Sequence, residues 1–195
     1  MPKVSILMSV FNGERYLSAA VQSVLASDYQ DYEFVIVNDG STDGTATALD
    51  ALGEQDKRIR VIHKKNSGLA SALNTGLAHV SGKYVARLDV DDLSLPGRLY
   101  IQTRSMEDRP SVGLNGSSAI FIDAQGNQVG CSSLGRIDPA GCLRRMERID
   151  AFFPHSSWMV RTELMRTLGG YDEFFKKAQD FDFLLRLSEI ADIEC

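Results

Sequence analysis

Short apolar runs alternate with stretches of helical spacing along residues 1–92. Four runs rich in β-branched residues predict buried strands at residues 4–10, 34–37, 59–62 and 84–88. Between them, apolar residues recur at helical spacing, as in Leu17, Val21 and Val24, which predicts amphipathic helices. Strands that alternate with helices indicate a parallel sheet covered by helices on both faces.

The second half of the chain has a less regular pattern. Residues 96–106, 162–168 and 178–190 predict helices, residues 112–122 predict a strand, and Gly126-Asn127 predicts a turn. Residues 123–150 are rich in glycine, and we expect a mobile loop there. We expect one domain over residues 1–195, with halves at 1–92 and 93–195, and the abrupt end at residues 191–195 suggests a truncated chain.

Polar side chains collect where the predicted strands end. Asn12 and Glu14 follow the first strand, Asp39 follows the second, and Asp89, Asp91 and Asp92 follow the fourth. In open sheets of parallel strands, ligands bind outside the carboxyl ends of the strands. The sequence therefore predicts a binding site at this edge.

The acidic motif Asp89-x-Asp91-Asp92 closes an apolar strand. Such a group of carboxylates repels itself unless a cation or hydrogen-bond donors are present. Mg²⁺ and Mn²⁺ prefer oxygen ligands and usually keep positions for substrate phosphates. A divalent cation is therefore one interpretation, and a solvated acidic turn is the other.

The segment at residues 37–45, Val-Asn-Asp-Gly-Ser-Thr-Asp-Gly-Thr, is a second candidate binding motif. Its glycines and hydroxyl residues are typical of a tight turn that leads into a helix. Asp39 lies at the predicted sheet edge, where it could accept hydrogen bonds from a base or a ribose. Alternatively, Asp39 only stabilises the turn.

Together these segments resemble the family 2 glycosyltransferases of the GT-A fold. The resemblance rests on five segments in the right order: residues 5–14, 37–45, 66–76 and 87–92, and a looser one formed by residues 169–173 and 179–182. It implies an α/β fold, a three-layer α/β/α sandwich with a mostly parallel central sheet. It also implies inverting transfer of a sugar from a nucleotide diphosphate donor, by default a UDP-sugar, to the hydroxyl of a carbohydrate or lipid-linked acceptor.

The resemblance also implies roles for individual residues. Ser9, Phe11 and Glu14 would lie around the nucleoside, Asp39 would bind the base, Asp89 would face the ribose, Asp91 would hold Mg²⁺ or Mn²⁺ on the diphosphate, and Asp180 would be the general base. A bound cation stabilises the charge on the departing nucleoside diphosphate. The acceptor hydroxyl loses a proton as it attacks, so a carboxylate within reach serves as the base.

Two positions depart from the family pattern. Gln179 stands where the family often has Glu, and Leu73 stands where many members have Arg. Lys64 or Lys65 could supply the missing charge, or could be solvated loop residues. His155 and Trp158 could contact a substrate, or could be an ordinary half-buried histidine and a core tryptophan. Asp182 points away from Asp180 on a helix, so the two do not form a catalytic pair.

Composition and charge limit the partners and the cellular location that we expect for this chain. The net charge is −5 and no basic stripe is visible, so we expect no nucleic-acid partner. No apolar run approaches the roughly 20 residues of a membrane helix, and no signal peptide is recognisable. Three scattered cysteines suit a reducing compartment. We expect a cytoplasmic protein, peripheral at the inner membrane face, that acts in surface polysaccharide or glycoconjugate synthesis.

Other classes fit less well. A haloacid dehalogenase phosphatase carries its D-x-D on the first strand, with Thr or Val at the position that Leu93 occupies here. The glycine motifs of dinucleotide-binding oxidoreductases and P-loop kinases are missing. The remaining alternative is a catalytically inactive nucleotide-sugar or carbohydrate-binding module that docks a partner. The acidic residues Asp89, Asp91, Asp92 and Asp180 argue for an enzyme instead.

Overall fold

The structure of the chain, a computed structural model, describes residues 1–132, 140–141, 144 and 153–195. Its first half alternates strands and helices as predicted. In chain order these are β1 (Val4–Val10), α1 (Glu14–Leu25), β2 (Tyr32–Asp39), α2 (Thr45–Gln55), β3 (Ile59–Lys64), α3 (Leu69–Leu77) and β4 (Tyr84–Arg87).

The second half adds shorter elements. They are α4 (Arg98–Asp108), β5 (Val112–Asn115), β6 (Ala119–Ile122), β7 (Gln128–Ser132), a single 3₁₀ turn (His155–Ser157), β8 (Met159–Arg161), α5 (Thr162–Thr167), α6 (Gln179–Ser188) and β9 (Asp192–Glu194). Strands β6 and β7 pair as an antiparallel hairpin outside the main sheet.

The main sheet has the strand order β3-β2-β1-β4-β8-β5-β9. Strands β1 to β4 are parallel, and β8 runs antiparallel between β4 and β5. Because β1 lies between β2 and β4, the loops after these three strands emerge together at the carboxyl edge. The mostly parallel sheet predicted from the sequence is confirmed.

Each face of the sheet has its own apolar core. Ile6 and Met8 of β1 pack with buried residues of α1, α2 and α4, whereas Leu7 packs with buried residues of α3, α5 and α6. Successive side chains of a strand point to opposite faces, so a strand covered on both sides reads as one apolar run. The three-layer arrangement follows from this.

The single strand predicted at residues 112–122 is wrong. The chain leaves the main sheet at Gly116, whose N–H donates to the Glu194 carbonyl (2.8 Å) and whose backbone lies against Phe153. Strands β5 and β6 therefore belong to different sheets. The pattern of apolar residues does not reveal where β5 ends and β6 begins, because both segments have side chains that are typical of strands.

Two further expectations concern loops. The turn at Gly126-Asn127 is confirmed as the β6–β7 connection. Most of the mobile loop expected at residues 123–150 lies outside the described residues. Helix α3 begins after Gly68, its N-cap, which has a φ of 94°, and no side chain caps the helix.

Candidate functional site

The loops after β1 and β2 are joined by hydrogen bonds. The side-chain oxygen of Asn12 accepts the N–H of Thr42 (2.8 Å), and the Asn12 N–H donates to Ser41 Oγ (2.9 Å). The N–H of Gly13 donates to Thr45 Oγ1 (2.9 Å). Asn12 has a left-handed φ of 54°, which asparagine tolerates better than most residues. These contacts give the edge of the sheet a fixed shape.

The three residues predicted around the nucleoside lie in or beside these loops. Ser9 is partly buried near the end of β1, and the ring of Phe11 is 52% exposed. The Glu14 carboxylate accepts the N–H of Gly44 (3.0 Å), so it holds the β2–α2 loop in place. Phe11 therefore offers an open aromatic face, whereas Glu14 already has a structural contact.

Asp39 is buried and bound on several sides. Its carboxylate accepts the N–H groups of Ser67 (3.0 Å) and Gly68 (2.8 Å), and Lys64 Nζ lies 3.1 Å away. Asp39 thus fixes the loop that leads into α3. Lys64 is committed to this ion pair, and Leu73 is a fully buried core residue of α3.

The three carboxylates of the acidic motif have different surroundings. Asp89 forms an ion pair with the buried guanidinium of Arg87. Asp91 is exposed, and no hydrogen bond or ion pair reaches its carboxylate from the described part of the chain. Asp92 is partly buried and bonds Ser156, and burial raises the pKa of its carboxyl.

Two cationic side chains lie close to this motif, the buried Arg87 and the partly buried Arg98. Arg87 is 2% exposed, and its guanidinium also donates to the Leu88 carbonyl. Arg98 donates to the carbonyl of Arg87 (2.8 Å), and burial lowers the pKa of Arg98 to about 10, although Asp92 opposes the shift. The positive charges of Arg87 and Arg98 therefore stabilise the negatively charged acidic motif.

The chemistry of these residues fits a shared metal site. Among the described residues, no three histidine, cysteine or carboxylate side chains are grouped so that they could hold a metal. Mg²⁺ is commonly bound by one or two carboxylates together with substrate phosphates. Asp91, which is exposed and has no partner among the residues that the structure describes, can supply such a carboxylate.

Asp180 lies in the first turn of α6. Two residues before it, the N-cap residue Ala178 has a φ of 60°, which is unusual for a residue with a Cβ. Burial raises the pKa of Tyr171, and the charges of Asp180 and Asp89 both add to the shift, so both carboxylates lie near this ring. Asp182 turns away and pairs with Arg186 (2.7 Å), as the helical spacing predicts.

Tyr171 belongs to an aromatic cluster that the sequence did not reveal. His155 Nε2 and the Tyr171 hydroxyl are 2.8 Å apart, and both rings pack edge-to-face with neighbours in the cluster. Burial, together with the charge of Arg87, lowers the pKa of His155 well below its usual value. Trp158 is 1% exposed and packs on Phe183, so it is a core residue.

Known proteins resemble this chain in sequence. The model of the family described as Glycosyl transferase family 2 matches residues 5–169. EpsE of Bacillus subtilis (strain 168), which carries a provisional glycosyltransferase designation, is 34% identical over 96% of this chain and 67% of its own length. An uncharacterized glycosyltransferase of Methanocaldococcus jannaschii is 32% identical over 95% of this chain and 64% of its own length.

Solved structures resemble it in fold. Residues 1–349 of S. aureus TarS superpose with a TM-score of 0.79 at 22% identity, covering 98% of this chain and 57% of that one. The mannosyltransferase PcManGT of Pyrobaculum calidifontis, in complex with GDP-Man and Mn²⁺, gives 0.75 at 21% identity over 98% and 54%. The GT-A fold expected from the sequence is confirmed.

The chain spans about a third to two thirds of the length of several curated relatives that it matches. Within the described residues, no helix combines the length and apolarity needed to cross a bilayer.

The family model covers most of the chain, and the similarity to EpsE extends over nearly all of it. The chain therefore belongs to glycosyl transferase family 2.

Proposed function

We propose that this chain transfers a sugar, with inversion, from a nucleoside diphosphate donor to an acceptor hydroxyl. The observation that carries the proposal is that Asp89 and Asp180 both lie near the buried ring of Tyr171, with the exposed Asp91 two residues after Asp89 in the same motif. One group of carboxylates can then serve the donor while the other serves the acceptor.

The donor would bind at the carboxyl edge of β1, β2 and β4. The open ring of Phe11 offers a stacking surface for a base. We assign Asp39 to the base and Asp89 to the ribose, although the Asp39 carboxylate is buried and already accepts the N–H groups of Ser67 and Gly68. Structures of TarS with UDP and of PcManGT with GDP-Man support testing both uracil and guanine donors on this chain. UDP is the nucleotide we propose, and the acceptor is a carbohydrate or a lipid-linked molecule.

Asp91 would hold the Mg²⁺ or Mn²⁺ that the diphosphate shares. Such a cation, when bound, offsets the negative charge that develops on the leaving nucleoside diphosphate. The Mn²⁺ in the PcManGT complex supports including this metal. Asp89 would keep its ion pair with Arg87, so its oxygens stay oriented toward the ribose.

Asp180 would act as the general base. It takes the proton of the acceptor hydroxyl while the hydroxyl oxygen forms a bond to the anomeric carbon and the bond to the diphosphate breaks. A single displacement of this kind inverts the anomeric carbon and needs one base. Tyr171, a buried residue, lies close enough to Asp180 to respond to its charge.

The test is Asp180→Asn, with Glu189→Gln as the control. Both changes remove one negative charge from the α6 region, but Glu189 is exposed at the far end of the helix. We expect Asp180→Asn to slow UDP release from a panel of UDP-sugars by about 10²–10⁴-fold. UDP binding, measured by calorimetry, should stay unchanged in both variants.

Transfer by Asp180→Asn at the parent rate would contradict the assignment of the base. A parent chain that binds UDP but releases none from any donor would instead support the catalytically inactive binding module. Glu189→Gln should match the parent in both measurements, which separates a catalytic loss from a general effect of charge.

A further inference from the structure

A groove that Asp92 of the acidic motif helps to line has no role in the donor site described above. The hairpin groove, as we name it, is a cavity of about 430 Å³ between the loop after β4, the start of α4, strand β6 and the 3₁₀ turn. Each described residue that lines it follows β4 in sequence. None comes from the loops after β1 and β2, which we assign to the nucleotide.

The walls of the hairpin groove are apolar, although they face solvent. Leu95 is 54% exposed, Ile101 is 64% exposed and Phe121 is 49% exposed. Isolated exposed apolar residues are common on protein surfaces, but a contiguous group from three separate elements marks a binding surface. The volume lies within the roughly 300–1,000 Å³ of small-molecule sites, which are also mostly apolar.

The groove also has a polar lining, made by Asp92 and Arg98 together with neutral residues, namely Gln102, Ser117, Ser118, Ser156 and Ser157. The Asp92 carboxylate accepts a hydrogen bond from the Ser156 side chain, and its negative charge compensates the positive charge of Arg98. This part of the lining is therefore polar without a net charge, which suits neutral hydroxyl groups. Asp92 directly follows Asp91, so this polar part of the groove lies one residue along the chain from the proposed metal ligand.

We propose that the hairpin groove binds the apolar chain of a neutral amphiphilic acceptor, with the hydroxylated head of that acceptor near Asp92. This inference rests on the proposed function and specifies its acceptor as a glycoside that carries an alkyl chain. A concave cavity surrounds a chain on several sides, whereas a bilayer or a second copy of the protein would need a flatter and broader face. The hydroxyl that accepts the sugar would then lie on the groove side of the acidic motif.

The test compares octyl β-glucoside, below its micelle concentration, with methyl β-glucoside. We expect octyl β-glucoside to bind the parent chain at least tenfold more tightly in calorimetry without nucleotide. The double variant Ile101→Ser and Phe121→Ser should lose this preference, because it removes apolar walls of the groove. Both positions are exposed, so the substitutions leave the two cores intact.

Val129→Ser is the matched control. Val129 is 67% exposed on strand β7 of the same hairpin and does not line the groove, so this variant should bind octyl β-glucoside like the parent. Equal binding of the two glucosides by the parent, or an unchanged preference in the double variant, would overturn the proposal.

Further outcomes separate this inference from the proposed function. Groove substitutions that abolish vesicle binding or self-association, while alkyl binding stays as in the parent, would assign the groove to a bilayer or a second copy and overturn the proposal. UDP affinity is measured in every variant. Normal alkyl binding by a chain that binds no UDP would contradict the proposed donor site and leave the hairpin groove as an amphiphile site.

Discussion

At the scale of single residues, Asp89, Asp91 and Asp92 show how identical side chains acquire different chemistry. Asp89 faces the guanidinium of Arg87, Asp91 faces solvent, and Asp92 faces Ser156 in partly buried surroundings. The strand that precedes them ends in buried residues, so the turn determines how far each carboxylate is removed from water. The sequence predicts that the carboxylates cluster, and Asp89 pairs with Arg87 only two residues before it, but the partner of Asp92, Ser156, lies far away in the chain.

His155 allows a residue-scale prediction about pH. Because burial lowers its folded-state pKa below the ordinary value of 6.5, the unfolded chain binds the proton more readily than the folded chain. Its contribution to stability is therefore complete well above pH 6.5. It declines as the pH falls through 6.5 toward the folded-state pKa, by up to about 1.4 kcal/mol per pH unit.

His155→Gln should remove this part of the pH dependence. We expect the variant to lose less stability than the parent between pH 7 and pH 5, as measured by urea unfolding at each pH. His79→Gln is the control, since His79 pairs with Arg60 near the surface and should leave the parent slope unchanged. An identical slope for His155→Gln and the parent would contradict the prediction.

At the scale of elements, the sequence predicted what local patterns determine. Buried parallel strands are apolar on both faces, so β1 to β4 were recognisable as runs, and the helices between them by their spacing. The end of β5 depends on a tertiary contact of Gly116 with Phe153, and no local pattern encodes it. The same limit applies to the site, because His155 and Tyr171 lie 16 positions apart in the chain.

Two helix glycines give a prediction at this scale. A Cβ on Gly76 of α3 would lie 2.2 Å from Leu7 Cδ1 and 3.1 Å from Val37 Cγ2, both on buried strands. A Cβ on Gly53 of α2 would meet only Val61, at an ordinary 3.4 Å. Alanine favours helix by up to about 1 kcal/mol over glycine, but overpacking a core costs about 1–3 kcal/mol.

We therefore expect opposite effects of the same substitution. Gly76→Ala should lower the free energy of unfolding by about 1–2 kcal/mol, and Gly53→Ala should raise it by up to about 1 kcal/mol. Urea unfolding at constant pH measures both. Stabilisation by Gly76→Ala would show that α3 can move away from the sheet without cost, contrary to the close packing described here.

At the scale of the whole molecule, the two halves meet at the acidic motif. The parallel half supplies the loops proposed to bind the nucleotide, and the second half supplies Asp180 and the hairpin groove. The sheet order makes this possible, because β8 joins β4 to the strands of the second half. A ligand that bridges both halves should therefore stabilise the molecule as one unit.

The final prediction is that metal and nucleotide bind together. Since no group of three potential metal ligands exists among the described residues, Mn²⁺ alone should raise the melting temperature little. UDP with Mn²⁺, at a hundredfold excess over the dissociation constant, should contribute about 2.7 kcal/mol, or roughly 5–11 °C. Asp91→Asn should remove the dependence on Mn²⁺, whereas Asp108→Asn, an exposed carboxylate of α4, should keep it. If Asp91→Asn keeps that dependence, the cation is held elsewhere; a full shift by Mn²⁺ alone would mean that the protein, without the diphosphate, completes the site.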